Sequence, residues 1–425
     1  MDRLEPARVA GRGDDALTRS RIRVRVLVVG AGPAGSALAG LLATGGLQVL
    51  IVDRARFPRA KACGECVNPG GVRALQRLGL LSTVLETRPV ALRGWTLHTP
   101  EGRRACGSFP PGHFGLGVDR TSFDRVLLEA AIAKGATVLE GVRIEEVDVG
   151  GPDRPAVAWG RVRGGERRAF EADLLIGADG LRSVVARRSR AVGDPGPLRK
   201  ASLSWRVQGV AAPRDRGHLL LGGDLTVGLA PVASEEGRTD LWNGTLVVDP
   251  ARYGEQISNN AWSLFRMGLA LMGTEWESGP RAVGGPWASG PFDWPCRNST
   301  MGRTLLVGDA AGYYDPLTGQ GIYRALRSAE LAERAVRGAL PSGIGDVGHE
   351  GEGGGALPLR AGPLAGYEGR MRRAFGPGRA LQRVIEGVVS RPGLRELALG
   401  AMSWSPRAAS TLIGLTGNLE LRGGD

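Results

Sequence analysis

The sequence predicts an α/β fold in which a parallel sheet flanked by helices is interrupted by an inserted antiparallel β-sheet domain and followed by C-terminal helices. Three observations carry this expectation. Residues 23–53 read as strand, glycine turn, helix and second strand. Residues 201–290 alternate apolar and polar in short runs. Residues 304–338 then return to a strand, a glycine-rich turn and a helix, and a helical pattern over residues 364–415 follows.

The first unit is the most informative. The apolar, β-branched run RVRVLVV (residues 23–29) leads into GAGPAG (30–35) and then the helix-forming SALAGLLA (36–43). In such a Rossmann-like unit Gly30 permits the tight turn, Gly32 lets a pyrophosphate approach the backbone, and Gly35 lets the helix pack on the sheet. The helix start offers free N–H groups and partial positive charge to phosphate. The second strand, QVLIV (48–52), ends at Asp53 and Arg54. That acid falls about 20 residues past the turn, where a carboxylate binds adenosine ribose hydroxyls. A dinucleotide site follows from the whole unit rather than from the glycines alone.

Composition bounds the rest. A chain of 425 residues with 42% hydrophobic content is globular and long enough for two or three domains. No apolar stretch approaches the ~20 residues that span a bilayer. Residues 1–20 are polar and lack an apolar core, so they read as a loose tail rather than a secretory signal. The formal charge is +12, almost all from arginine; the lysines are Lys61, Lys134 and Lys200. The basic residues form no single run, which argues against nucleic acid and leaves an acidic substrate or peripheral contact with an anionic membrane open. The four cysteines make no disulfide framework in a chain of this size and fit a cytoplasmic protein.

In chain order, the predicted organisation is a flexible tail (1–21), dinucleotide-binding segments (22–86, 116–198 and 296–340), a substrate domain in two parts (87–115 and 199–295), a flexible linker (341–363) and a C-terminal helical region (364–425). Thr121 is the expected N-cap of a helix reaching about Lys134, with Asp124 three residues on. A hairpin turning near Gly164 leads to the strand DLLI (173–176) and then GADGLRS (177–183). Cys63 and Cys66 lack the second half of a zinc site, so no metal is expected. They read as a redox dithiol or as small residues packed in a tight loop. Trp205, Trp242, Trp262, Trp276, Trp287 and Trp294 read either as core or as the wall of a roomy apolar pocket. Arginines among Phe375, Leu381, Val384 and Ile385 read as an amphipathic surface or a membrane-facing helix.

Three separated motifs occur in one order: GAGPAG with Asp53, GADG with Arg182 and Ser183, and GDAAGYYDPLTGQG (308–321). Together they resemble the FAD enzymes built like p-hydroxybenzoate hydroxylase. The resemblance covers roughly residues 23–338 and implies extended FAD. Gly30, Gly32, Ala34 and Gly35 would cradle its pyrophosphate, Asp53 and Arg54 would meet the adenosine end, and Arg120 the cofactor backbone. Asp179 and Gly180 would lie near the pyrophosphate and the nicotinamide donor, and Asp309 would bind the ribitol. Pro316, Gly319, Gln320 and Gly321 would face the isoalloxazine ring. The stretch DPLTGQGI and KACGE (61–65) look like the geranylgeranyl reductase branch. The prenyl reductases' Tyr-x-Trp-x-Phe-Pro stretch is replaced by TVGLAP (226–231), and the halogenases' Trp-x-Trp-x-Ile-Pro run is absent. With no second glycine-rich strand–helix unit, NAD(P)H would bind transiently at the surface. The expected function is an FAD-dependent oxidoreductase acting on a hydrophobic metabolite or lipid, with Cys63, Glu65, Tyr313 or Tyr314 placing a proton. The alternatives are a monooxygenase acting on an aromatic or polyketide substrate and a non-catalytic flavin-binding protein.

Overall fold

The computed structural model describes residues 21–233, 240–273, 276, 279–340 and 357–418. The predicted tail over 1–20 and most of the predicted linker, 341–356, lie outside the described residues. The parallel sheet grows from the apolar run identified first. Val26, Leu27 and Val28 are fully buried because the strand Arg21–Val29 lies between two others and under helices on both faces. Its parallel neighbours are Arg167–Gly177 and Val49–Asp53; Thr304–Leu306 and Thr137–Glu140 extend the sheet on either side. Val29 registers with Gly177 and with Val52, so the turns after these strands open at one edge. That edge is the switch point where α/β sheets bind ligands.

Polar residues in the same strand are explained by the register. Arg21 pairs with Glu171 at 2.7 Å and Arg25 with the buried Asp173 at 3.0 Å on the adjacent strand. Arg303 is fully buried; its guanidinium donates to the carbonyls of Gly151, Asp173 and Leu357, which pins the chain leading into the C-terminal helices.

The second sheet has seven strands, ordered Arg281–Ser289, Ala201–Gln208, Trp242–Val248, Leu225–Pro231, Arg216–Leu221, Gly94–His98 and Arg104–Ser108. Pairing is antiparallel throughout except between Arg216–Leu221 and Gly94–His98. One face buries Trp205, Val207, Trp242, Leu246 and Trp276 against the helix Pro250–Ala270 through Phe265 and Leu269. Trp205, Trp242 and Trp276 are therefore core, with the half-buried Trp262 packed against it: Trp205 lies 5.7 Å from Trp262 and 5.2 Å from Phe265, ring to ring. The other face turns toward the parallel sheet.

Two local expectations are corrected. The helix Arg120–Ala133 is capped by Asp119, whose carboxylate accepts from Ser122 N at 3.2 Å, not by Thr121. Asp124 is no capping partner, because a buried arginine pair occupies it. The C-terminal helices are Ala361–Val389, Pro392–Trp404 and Pro406–Thr416. Tyr367 in the first of these donates to Leu306 O at 2.9 Å and is fully buried, so the helix is docked on the parallel sheet.

The core of the antiparallel sheet also holds a histidine pair, His98 Nε2 and His218 Nδ1, 3.3 Å apart, with the His218 ring 4.8 Å from Trp276. Burial, reinforced by His98, pushes His218 down to about 3. The unfolded chain takes up this proton near pH 6.5 and the folded chain does not, so acid favours unfolding. Stability should fall by about 1.4 kcal/mol per pH unit below 6.5 through this group. His218→Gln should flatten that slope in urea titrations between pH 7 and pH 5; an unchanged slope refutes the assignment.

Candidate active site

The turn after the first strand is built for close approach. Gly30 has φ +109°, and a Cβ there would meet Ala178 O at 2.5 Å. A Cβ on Gly35 would fall 1.9 Å from Gly30 O. These two glycines serve the fold itself. Gly32 differs: its backbone is extended (φ −74°, ψ −177°), and the nearest atom to an added Cβ is Arg59 Nη2 at 3.7 Å. Gly319 has no atom within 4 Å of an added Cβ, and Gly321 only Tyr313 Cε2 at 4.0 Å. Gly32, Gly319 and Gly321 thus border open space at two helix starts, Pro33–Thr44 and Gly321–Ala339. Between them, Asp309 Oδ1 is buried without a hydrogen-bond partner among the described residues. Open cradles at two positive helix ends and an unsatisfied acceptor fit an extended dinucleotide with phosphates and a hydroxylated chain.

Several expected cofactor residues do other work first. Asp53 accepts from Ala31 N and Ala55 N, each at 2.7 Å, and so ties the turn to the second strand. Arg54 is exposed at that strand's end. Ala34 packs against Gly308, whose added Cβ would lie 3.0 Å from the Ala34 methyl. Asp179 turns its carboxylate into the helix Val184–Arg188, accepting from Ser183 Oγ at 2.5 Å and Val184 N at 2.6 Å. Gly180, not Asp179, borders the cavity side, 3.7 Å from Lys61 Nζ by its added Cβ. Arg120 does not offer a free fork: Asp124 binds it at 2.7 and 2.8 Å. Burial alone would lower the Arg120 guanidinium, and Asp124 with Cys63 raises it instead. The Gln320 side chain turns away from the cavity and donates to Thr416 O at 3.3 Å, leaving its backbone at the helix start.

Residues that the pattern did not single out for the cofactor complete the cradle. Arg59 reaches Asp124 Oδ2 at 3.3 Å while remaining the neighbour of Gly32. Lys61 lines the cavity; burial and Arg120 lower its ammonium. Both sit in FPRAKACGE, where a scarce lysine was the one available signal. Gln382 donates to Thr318 Oγ1 at 2.7 Å and braces the loop carrying Pro316. Nothing local in the sequence marks that contact.

The two sheets meet at the KACGE loop. Cys63 O accepts from Asn243 Nδ2 at 3.0 Å and Ser204 Oγ at 3.4 Å. Glu65 is 2% exposed and has φ +56°. It accepts from Arg120 N at 3.0 Å and pairs with Arg206 at 2.5 Å. Arg206 also binds Asp119, so one arginine of the antiparallel sheet closes on the cap of a helix beside the parallel sheet. Burial pushes the Glu65 carboxyl up to about 7, against the pull of Arg206. Cys66 is not bridged to Cys63; its thiol donates to Gly64 O at 3.3 Å, and burial pushes it up. Burial and Asp309 hold the Tyr313 hydroxyl well above the usual phenol range.

One cavity of about 420 Å³ joins these parts. Lys61, Cys63, Asp309, Tyr313, Pro316 and Gly319 line one end. Leu97, Leu219 and Val247 of the antiparallel sheet, with Ile385, Leu399 and Ile413 of the C-terminal helices, line the other. Of the six tryptophans read above as core or pocket wall, none lines it; Trp95 does.

A dinucleotide cradle opening into an apolar chamber defines a flavoprotein oxidoreductase. Residues 23–221 match the FAD binding domain family. The chain is 30% identical to the menaquinone reductase of Mycolicibacterium smegmatis over 343 residues, covering 73% of this chain and 75% of that protein. It is 28% identical to the digeranylgeranylglycerophospholipid reductase of Methanothrix thermoacetophila over 384 residues, covering 84% of each. A flavoprotein/dehydrogenase from Cytophaga hutchinsonii shares the fold, with TM-score 0.74 and 20% identity over 93% of this chain and 92% of that one. The chain belongs to the FAD-dependent oxidoreductases of the p-hydroxybenzoate hydroxylase-like superfamily, in the branch that includes the geranylgeranyl and menaquinone reductases.

Proposed function

We propose that this enzyme reduces a carbon–carbon double bond in a long aliphatic lipid or prenylated metabolite, with NAD(P)H as a transient electron donor. The observation that carries the reading is the cavity running from Asp309 and Gly319 to a chamber walled mostly by leucine, valine and isoleucine, with Trp95 among them. Such a largely aliphatic wall fits a flexible hydrocarbon chain. The reductase relatives point the same way.

FAD, when bound, supplies hydride chemistry between the donor and the substrate double bond. The chain's own residues seat the hydrocarbon, exclude water from it and deliver the balancing proton. Gly32, Asp53, Arg59, Asp309, Gly319 and Gly321 are the residues assigned to hold the cofactor, on a turn that Gly30 and Gly35 shape. Cys63 is the favoured proton donor, because it lines the same end of the cavity as Asp309 and Gly319 while Asn243 and Ser204 hold its backbone carbonyl. Glu65 acts as a positioning residue: its backbone N–H donates to Cys63 Sγ at 3.3 Å, and its carboxyl group locks the loop through Arg206. Tyr313 keeps its proton and lines the same end.

The test is a single turnover. Anaerobically photoreduced, FAD-loaded protein is mixed with a digeranylgeranyl lipid, and in parallel with an aromatic polyketide in the presence of oxygen, and the products are read by mass spectrometry. Gain of hydrogen in the product is the expected result. Oxidation of the flavin only by oxygen, with an oxygen atom appearing in an aromatic or polyketide product, overturns the reading in favour of a monooxygenase. Cys63→Ser should lower turnover by about 10²-fold or more, the usual contribution of a placed acid, with FAD content unchanged. Wild-type turnover in that variant would return Cys63 to a packing role.

A further inference from the structure

The helix Pro392–Trp404 is apolar on two faces. Its inner face, through Ala398, Leu399 and Met402, walls the cavity. Its outer face carries Leu394, Leu397, Ala401 and Trp404, spaced i, i+3, i+7 and i+10, which is one stripe of a helix. Leu394 is 47% exposed, Leu397 71% and Trp404 89%. A single exposed leucine needs no explanation, but a stripe ending in a bare tryptophan does. Val384, on the preceding helix, is both 63% exposed and part of the cavity wall. The chamber and the exposed face are therefore back to back across the same two helices.

The charge around this face has one sign. Residues 370–418 hold eight arginines against Glu386 and Glu396; Arg395 is buried and paired with Glu101, and the other seven remain. Both acids are committed, Glu386 to Lys200 at 2.5 Å and Glu396 to Arg103 at 3.0 Å. Arg383, Arg391 and Arg407, beside and at the ends of the stripe in sequence, are exposed.

We propose that the outer face of Pro392–Trp404 docks on an anionic lipid bilayer, with Leu394, Leu397 and Trp404 entering the headgroup boundary and the flanking arginines meeting lipid phosphates. A stripe one helix wide and about 20 Å long is smaller than the roughly 1,000 Å² that a stable protein interface buries. It suffices for shallow insertion, where tryptophan and arginine are the favoured residues. Docking places the apolar chamber directly behind the lipid surface. That last clause rests on the hydrophobic substrate proposed above; the docking itself does not.

The full-length, FAD-loaded protein is tested by co-sedimentation with phosphatidylglycerol vesicles and with phosphatidylcholine vesicles, without substrate. Binding to the phosphatidylglycerol vesicles, weakened by salt, is expected. The double variant Leu397→Ser/Trp404→Ser should bind at least about ten-fold more weakly while retaining its flavin spectrum and thermal midpoint. Trp404→Phe supplies a second readout: the wild-type-minus-variant fluorescence should shift to the blue when vesicles are added. Failure of the wild-type protein to sediment with phosphatidylglycerol vesicles overturns the proposal, as does undiminished binding by the double variant. Conversion of a dimer to a monomer by the double variant, in a protein that ignores vesicles, assigns the face to a second copy of the chain instead. Because no turnover is measured, these outcomes stand whether or not the substrate reading survives its own test.

Discussion

Gly32→Val is expected to give a folded protein that binds no FAD. The extended backbone at Gly32 suits any residue, and an added Cβ meets no protein atom closer than Arg59 Nη2 at 3.7 Å. The fold therefore accepts the side chain, and its branches fill the space over the N-terminus of the helix Pro33–Thr44. A phosphate held by backbone N–H groups there cannot approach through a valine. Gly35→Val is the control with the opposite logic: its Cβ would overlap Gly30 O at 1.9 Å, so that variant should fail to fold. FAD titration followed by flavin fluorescence, with far-ultraviolet circular dichroism for the fold, separates the two. Tight FAD binding by Gly32→Val would remove the turn from the cofactor site. Asp309→Ala should act more mildly, weakening FAD by about ten- to a hundred-fold, because it removes one acceptor that the protein leaves unsatisfied.

Arg206→Met should cost about 3–5 kcal/mol of stability, the range for stripping one partner from a buried ion pair. The substitution leaves Glu65 and Asp119 facing each other without the guanidinium that now binds both. It also cuts the tie between the antiparallel sheet and the helix cap at Asp119. The pH dependence follows from Glu65. Its folded value is about 7, above an ordinary glutamate, so the folded chain keeps a proton that the unfolded chain releases near 4.5. The stability this provides is complete below about 4.5 and is lost as the pH rises through about 7. Without Arg206 the carboxyl rises further, so the variant's deficit should be smallest in acid and grow toward pH 8. Denaturant titrations at pH 5 and pH 8 check both size and sign. Glu65→Gln added to Arg206→Met should recover part of the loss by removing the buried charge. An equal deficit at both pH values would show that the pair is solvated and does not hold the sheets together.

Features of this protein that rest on local spacing are legible in its sequence, and those that rest on long-range contacts are not. The turn GAGPAG, the acid at Asp53, the strand at 304–306 and the helix after Gly321 were all legible, because each follows from local spacing: a strand run, a glycine where the backbone must turn, a helix start. The alternation in residues 201–248 likewise announced an antiparallel sheet. What alternation could not state was which partner each polar residue meets. Arg206 reads as an ordinary outward residue of a strand; only its approach to Glu65 and Asp119, 141 and 87 positions away, makes it the tie between sheets. Asp179 and Gln320 lie inside correct motifs, yet their side chains turn to a helix cap and to Thr416. Tryptophan density suggested a pocket wall or a core without deciding, since bulk alone does not tell the two faces of a strand apart.

By itself, then, the sequence determined the parallel α/β core, the dinucleotide cradle and the flavoenzyme branch, because these rest on backbone geometry written in short, ordered motifs. Only the tertiary structure decided that one apolar chamber joins the cradle to the C-terminal helices, that Arg59 and Lys61 accompany it, and that Arg206 locks the loop bearing Cys63. Those features arise where segments far apart in the chain are buried together, and burial is a property of the folded surface rather than of any local pattern.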